Sequence, residues 1–137
     1  MNGPASNFIY PGPALIPAAS TINITVIPEG FYNSATDKLN SKDTVRAFLH
    51  SNFSPYAVID SSVAIIDSVT FTGSFNFANA PNGIYYIIIK HRNTLETWSK
   101  SGGEGFTSGG AMSYDFTTAI TKAYGNNMSQ IDATPVR

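Results

Sequence analysis

The stretch GSFNFANAPNGIYYIIIK, residues 73–90, holds two apolar runs of different character joined by a turn. Its first run extends back to Val69 with a strict period of two. Val69, Phe71, Phe75 and Phe77 share one face, with Gly73 among them, while Thr70, Thr72, Ser74 and Asn76 share the other. Such alternation marks a strand with one buried face. Pro81-Asn82-Gly83 then supplies turn chemistry. The second run, Ile84 to Ile89, is apolar on both faces and reads as a central strand, before the chain turns polar at Lys90-His91-Arg92-Asn93. The reading is strand, turn, strand, with Val69, Phe71, Phe75, Phe77, Tyr85 and Ile87 or Ile88 lining one core. Gly73 marks a bulge or bend in the first strand.

The same period recurs on both sides. Thr21–Ile27 turns Ile22, Ile24 and Val26 one way and Asn23 and Thr25 the other, and ends at Pro28-Glu29-Gly30. Thr44–His50 puts Val45, Ala47 and Leu49 inward and Arg46, Phe48 and His50 outward. Tyr56–Asp60, Ser62–Asp67, Thr94–Ser99 and Ala111–Phe116 are further, shorter strand candidates. Asn33–Lys42 reads as a polar loop, and Ser101–Gly110, with five glycines, as a flexible one. Thr117–Tyr124, stopped by Gly125, predicts a short C-terminal helix capped by Thr117 or Thr118. About seven strands at this spacing specify an all-β fold, a single antiparallel Greek-key β-sandwich; a closed barrel is the alternative. The sandwich spans residues 21–125, after a Pro-rich leader at 1–20 and before a polar tail at 126–137.

Composition agrees. Apolar residues make up 42% of the 137, enough for one domain with a real core. Charged residues are only 12%, so Ser, Thr and Asn must cover the surface. A net charge of −1 without a basic cluster argues against nucleic acid. No apolar run has the length of a membrane span. The absence of cysteine removes disulfides, thiol catalysis and Cys-type zinc sites. The first residues lack the basic end and apolar stretch of a signal peptide. The chain is then either cytosolic or a mature or excised piece of a secreted protein, and the Ser/Thr/Asn surface favours the second. The leader is unusual: Pro4, Pro11, Pro13 and Pro17 oppose regular structure, yet Phe8, Ile9, Tyr10, Leu15 and Ile16 are too apolar for a solvated tail. They are the candidate assembly residues, expected to dock on their own domain or on a neighbour.

Gly73-x-Phe75-x-Phe77, followed by Pro81-x-Gly83-x-Tyr85 and Lys90, resembles the prealbumin-like modules, which include collagen-adhesin B-type repeats and carboxypeptidase regulatory-like domains. The resemblance implies a seven-strand, immunoglobulin-like sandwich. The stretches VIPEGFYN, DTVRAFL, YYIIIKHRNTLETWS and YDFTTAITKAYGNN are similar to a module that precedes dockerin-like repeats in type IX-secreted bacterial surface proteins. That likeness implies a secreted or cell-surface bacterial location and carries no activity. Some collagen-adhesin modules cross-link a Lys to an Asn; here the first strand has Asn23 and no Lys, so no isopeptide bond is expected.

Candidate chemistry is sparse. His50 and His91 are the only histidines and form no metal-ligating motif. No G-x-S-x-G is present, and Gly102-Gly103-Glu104-Gly105 lacks the Lys-Ser/Thr of a phosphate loop. Asp60, Asp67, Asp115 and Asp132 do not have calcium-loop spacing. No metal or other cofactor is expected. The densest polar and aromatic cluster is Lys90, His91, Arg92, Asn93, Glu96 and Trp98, the last being the sole Trp. Alternation puts His91 and Asn93 on one face and Lys90 and Arg92 on the other. Such a cluster could bind a sugar or a peptide, and His91, Arg92, Asn93, Glu96 and Trp98 are the candidate ligand-binding residues. The alternative is that Trp98 is a core or edge plug and Arg92–Glu96 a local ion pair. The leading expectation is a non-catalytic, extracellular structural or adhesive module, associating with itself as a surface or filament subunit or with neighbouring domains. The second is a carbohydrate-binding module, with polysaccharide as partner. A hydrolase is the third.

Overall fold

The computed structural model describes residues 20–28, 30–92 and 96–128. Its strands are β1 (Ser20–Thr25), β2 (Tyr32–Asn33), β3 (Lys38–Leu39), β4 (Asp43–Ser51), β5 (Val58–Ile66), β6 (Thr72–Phe77), β7 (Gly83–Lys90), β8 (Thr97–Trp98), β9 (Glu104–Phe106) and β10 (Ala111–Asp115). The protein is an all-β sandwich. One sheet has the order β10-β1-β6; the larger has the order β5-β4-β7-β8, with β9 also on β7; β2 and β3 form a small hairpin. Among the described strands every pairing is antiparallel except β1 with β10, which is parallel and departs from the all-antiparallel expectation. Among the described residues no helix is long and apolar enough to cross a membrane.

The alternation read from the sequence becomes the core. Ile22 and Ile24 of β1, Phe75 and Phe77 of β6, Val45, Ala47 and Leu49 of β4, and Tyr85, Ile87 and Ile89 of β7 are buried in one cluster. The strand–turn–strand of residues 73–90 crosses the sandwich, because β6 pairs with β1 in one sheet and β7 with β4 in the other. Its turn is tied by the Tyr85 hydroxyl, which donates to the Pro81 carbonyl at 2.6 Å. Gly83 makes this possible: a Cβ there would stand 2.9 Å from the Tyr85 hydroxyl oxygen.

Several expectations need correction. Val69 is 56% exposed. The strand stops short of it because Asp67 ends β5 in a tight turn, its carboxylate accepting the Val69 and Thr70 N–H groups at 2.9 and 2.8 Å. Those two bonds, Thr70 first, hold the Asp67 carboxyl below the usual carboxylate range. Phe71 follows with φ of 61° and still reaches the core. Tyr56–Asp60 and Ser62–Asp67 are not two strands; Val58–Ile66 is one. The inward face of β5 carries Asp60 and Ser62, which break the apolar pattern. Asp60 is buried because its carboxylate accepts the Asn79 and Ala80 N–H groups at 2.8 and 3.1 Å.

Gly73 is no bulge, since the β1–β6 register runs through it without a shift. It is a point of close approach, where an added Cβ would lie 2.9 Å from Ile66 Cδ1 and 3.1 Å from the Ile65 carbonyl. Gly73→Ala is therefore expected to lower stability by about 1–3 kcal/mol through overpacking. Urea melts read this directly, and an unchanged midpoint would show that β5 and β6 have room to part.

The loop at residues 101–110 contains β9, and residues 33–42 contain most of the β2–β3 hairpin, with Leu39 buried. The predicted C-terminal helix is replaced by two 3-10 turns, Ile120–Lys122 and Tyr124–Asn126. Asp115 accepts the Thr117 N–H, and the Tyr114 hydroxyl donates to the Lys122 carbonyl. A Ser99–Ala123 bridge fixes the segment across the sheet edge. These tertiary anchors override the weak helix signal.

Candidate functional site

The outer face of the larger sheet is not a simple solvated surface. Register sets His50 opposite Tyr86, Phe48 opposite Ile88, and Ile88 opposite Trp98. Ile88 is fully buried although it points away from the sandwich core, so this face is itself covered. The cover is aromatic. Tyr56 arrives from the loop before β5, and Tyr124 from the last 3-10 turn, brought there by the Ser99–Ala123 bridge.

Tyr86 forms the floor. Its ring centroid lies 5.4 Å from Trp98, 6.1 Å from Tyr56 and 5.9 Å from Tyr124, at interplanar angles of 59°, 69° and 75°. Tyr56 also meets Trp98 at 6.2 Å and 87°. The Tyr86 oxygen accepts the Gly102 N–H at 3.2 Å. Tyr56, Tyr86, Trp98, Tyr124 and Asn127 line a groove of about 290 Å³. Beside the groove, Glu96 accepts the Trp98 indole N–H, and the Lys90 Nζ lies 3.4 Å from Glu96. Lys90 also sits 4.9 Å above the Phe48 ring.

Behind Trp98 lies His50, ring to ring at 5.0 Å. Burial pushes its pKa below the ordinary value of 6.5; Glu96 opposes this and Lys90 adds to it. The unfolded chain therefore binds a proton that the folded one refuses. The stability that His50 contributes is full above about pH 6.5 and is lost as pH falls through the lower, folded pKa. Melting temperature is expected to decline from pH 7 to pH 5, and His50→Gln to flatten that decline. Parallel curves for the two proteins would show that His50 is not the group responsible.

The predicted ligand cluster is split by the sheet. Trp98 lines the groove, and Glu96 holds its indole N–H. His91 lies on the other side, its side chain 1% exposed, with Nε2 2.8 Å from Asp43 Oδ2 and its ring edge-on to Phe31 at 5.1 Å. Arg92 reaches the same Asp43 oxygen at 3.2 Å. The expected Arg92–Glu96 pair is thus replaced by Arg92–Asp43 and Lys90–Glu96. Alternation failed here because β7 ends at Lys90 and the chain begins to turn. The His91 hydrogen bond, then the Thr44 N–H, hold the Asp43 carboxyl below its usual range. Asn93 lies outside the described residues, as do Phe8, Ile9, Tyr10, Leu15 and Ile16 of the leader.

Sequence reasoning missed Tyr56, Tyr86, Tyr124 and Asn127. Tyr86 had one usable signal, its outward position in a strand apolar on both faces. A second hollow, of about 550 Å³, is lined by Ala78, Asn79, Ala80, Pro81, Asn82 and Ser108, and offers neither an aromatic face nor a charge. Among the described residues no group of His, Asp and Glu is placed to hold a metal ion. No protein-family model, curated protein or solved structure matches the chain.

Proposed function

We propose that the chain is a non-catalytic module of a secreted or surface protein, and that its adhesive role runs through a saccharide held in the aromatic groove. One observation carries this reading. Three rings stand around a fourth on the outside of the sandwich, and two of the three, Tyr56 and Tyr124, are 45% and 51% exposed. A contiguous aromatic patch left open beside an amide group is the kind of surface that marks a binding site. Ring faces suit the C–H face of a pyranose, and the Asn127 amide and the Tyr hydroxyls suit its hydroxyls. The prealbumin-like, Greek-key kinship is part of the same proposal, supported by Phe75, Phe77 and the Pro81–Tyr85 tie.

Native electrophoresis through gels containing soluble polysaccharides tests the reading. At least one polysaccharide is expected to retard the protein, and Tyr124→Ala, on an exposed turn, to restore free mobility with unchanged circular dichroism. Equal mobility in every gel would remove the saccharide.

A second reading, self-association or contact with a neighbouring domain, has its own observation. Val63 and Ile65 on the outward face of β5 are 59% and 61% exposed, and Val58 is 59% exposed. A β-branched stripe of this kind suits a protein partner. Light scattering on the whole chain and on a form lacking residues 1–17 tests self-association: a large species that becomes monomeric supports it, and a monomer at all concentrations excludes it.

A further inference from the structure

Resting on the saccharide reading, we propose that the groove takes the end or a short stretch of a neutral, soluble sugar chain, and does not take the flat face of a packed, insoluble polysaccharide. Gripping a flat face requires ring faces that lie in one plane and are spaced along it. The rings here do the opposite. Tyr56, Trp98 and Tyr124 each stand steeply to Tyr86, at 69°, 59° and 75°, and Tyr56 is nearly perpendicular to Trp98 at 87°. Tyr86, at 6% exposure, is too deep to touch a planar surface. Rings set at such angles leave an angled hollow between them. At about 290 Å³ it sits at the small end of ligand sites, with room for about one or two sugar rings.

Rim chemistry narrows the class further. The described lining, Tyr56, Tyr86, Trp98, Tyr124 and Asn127, is uncharged, and the Lys90 and Glu96 charges beside Trp98 pair with each other at 3.4 Å. The described lining thus offers no charge to draw a uronic or sialic acid, or to repel a neutral sugar. The Trp98 indole N–H already donates to Glu96, so Trp98 offers its ring face and not its donor. Directional hydrogen bonds to hydroxyls then fall to the Asn127 amide and to the Tyr56 and Tyr124 hydroxyls on the rim. A sugar unit inserted between the rings has one face against an aromatic ring and its edge hydroxyls at this rim. A chain end does this without distortion, whereas a unit packed in a solid cannot leave its neighbours.

The experiment is calorimetry on the whole chain with cello-, chito-, xylo- and manno-oligosaccharides, from disaccharide to hexasaccharide, beside sedimentation with microcrystalline cellulose and crystalline chitin. An oligogalacturonate series serves as the charged probe. The expected result is one-to-one binding of one neutral series, with disaccharide or trisaccharide within about threefold of the hexasaccharide in Kd. The solids should not deplete the protein from solution. Affinity that climbs more than about tenfold with chain length, sedimentation with a solid alone, or preference for oligogalacturonate would overturn the inference while leaving a saccharide site standing. Failure of every oligosaccharide and both solids would overturn this inference and the saccharide reading together.

Discussion

Replacing Phe77 with Ala is expected to remove about 3–5 kcal/mol of folding stability, the range for truncating a buried aromatic side chain. Phe77 is 1% exposed and lies at the end of β6, paired with Ser20 of β1. It belongs to the cluster in which Phe75, Tyr85 and Phe106 of both sheets meet. The strands of both sheets around this cluster are hydrogen-bonded in register, so the cavity has little freedom to collapse. A small domain holds only about 5–15 kcal/mol in total. The urea midpoint should therefore fall by a large fraction while the slope stays near the wild-type value. A loss below about 1 kcal/mol would mean that the alternating face of residues 71–77 does not line the core.

Trp98→Ala is expected to weaken saccharide binding by at least about 2 kcal/mol, roughly thirtyfold, in line with buried aromatic anchors at binding sites. Trp98 touches Tyr86, Tyr56 and His50, so its removal takes a wall from the groove and loosens two others. It lies on the two-residue strand β8 at the sheet edge and is only half-buried. The stability loss should be clearly smaller than that of Phe77→Ala. Affinity and urea midpoint measured on the same preparation separate the two roles. A folded variant without affinity supports the site. A variant that unfolds makes Trp98 a plug for Ile88, and the binding reading loses its main wall.

Much of the fold was legible because a period of two is a physical consequence of pleating. Ile22 and Ile24, Val45 to Leu49, and Phe75 and Phe77 are where alternation put them. The pattern misled where polarity and position parted. Asp60 and Ser62 face inward because backbone N–H groups from Asn79 and Ala80 satisfy Asp60, so one strand read as two. Val69 kept the period while the chain was already turning on Asp67. Gly73 signalled a close contact with Ile66, which single-strand reasoning cannot separate from a bulge.

The groove was half legible. Trp98 and Glu96 stood out as a local cluster, but their partners arrive from far along the chain. Tyr86 is placed beside Trp98 by the Ile88–Trp98 register, and Tyr124 by the Ser99–Ala123 bridge. Neither relation leaves a local mark in the sequence. His91 and Arg92 were candidate ligand residues because they fall in the same local cluster as Trp98, yet the strand's end sends both to Asp43.

Trp98 is the only tryptophan, so a nitrogen-15 correlation spectrum of the labelled protein has a single indole N–H resonance. Titration with the oligosaccharide that binds most tightly by calorimetry is the most direct test of the groove as the binding site. The account predicts that this resonance moves saturably, together with the backbone amides of Tyr56, Tyr86, Tyr124 and Asn127, while those of the core residues Ile24, Val45 and Phe75 stay in place. A saturable response elsewhere on the protein with the indole resonance unmoved would contradict it.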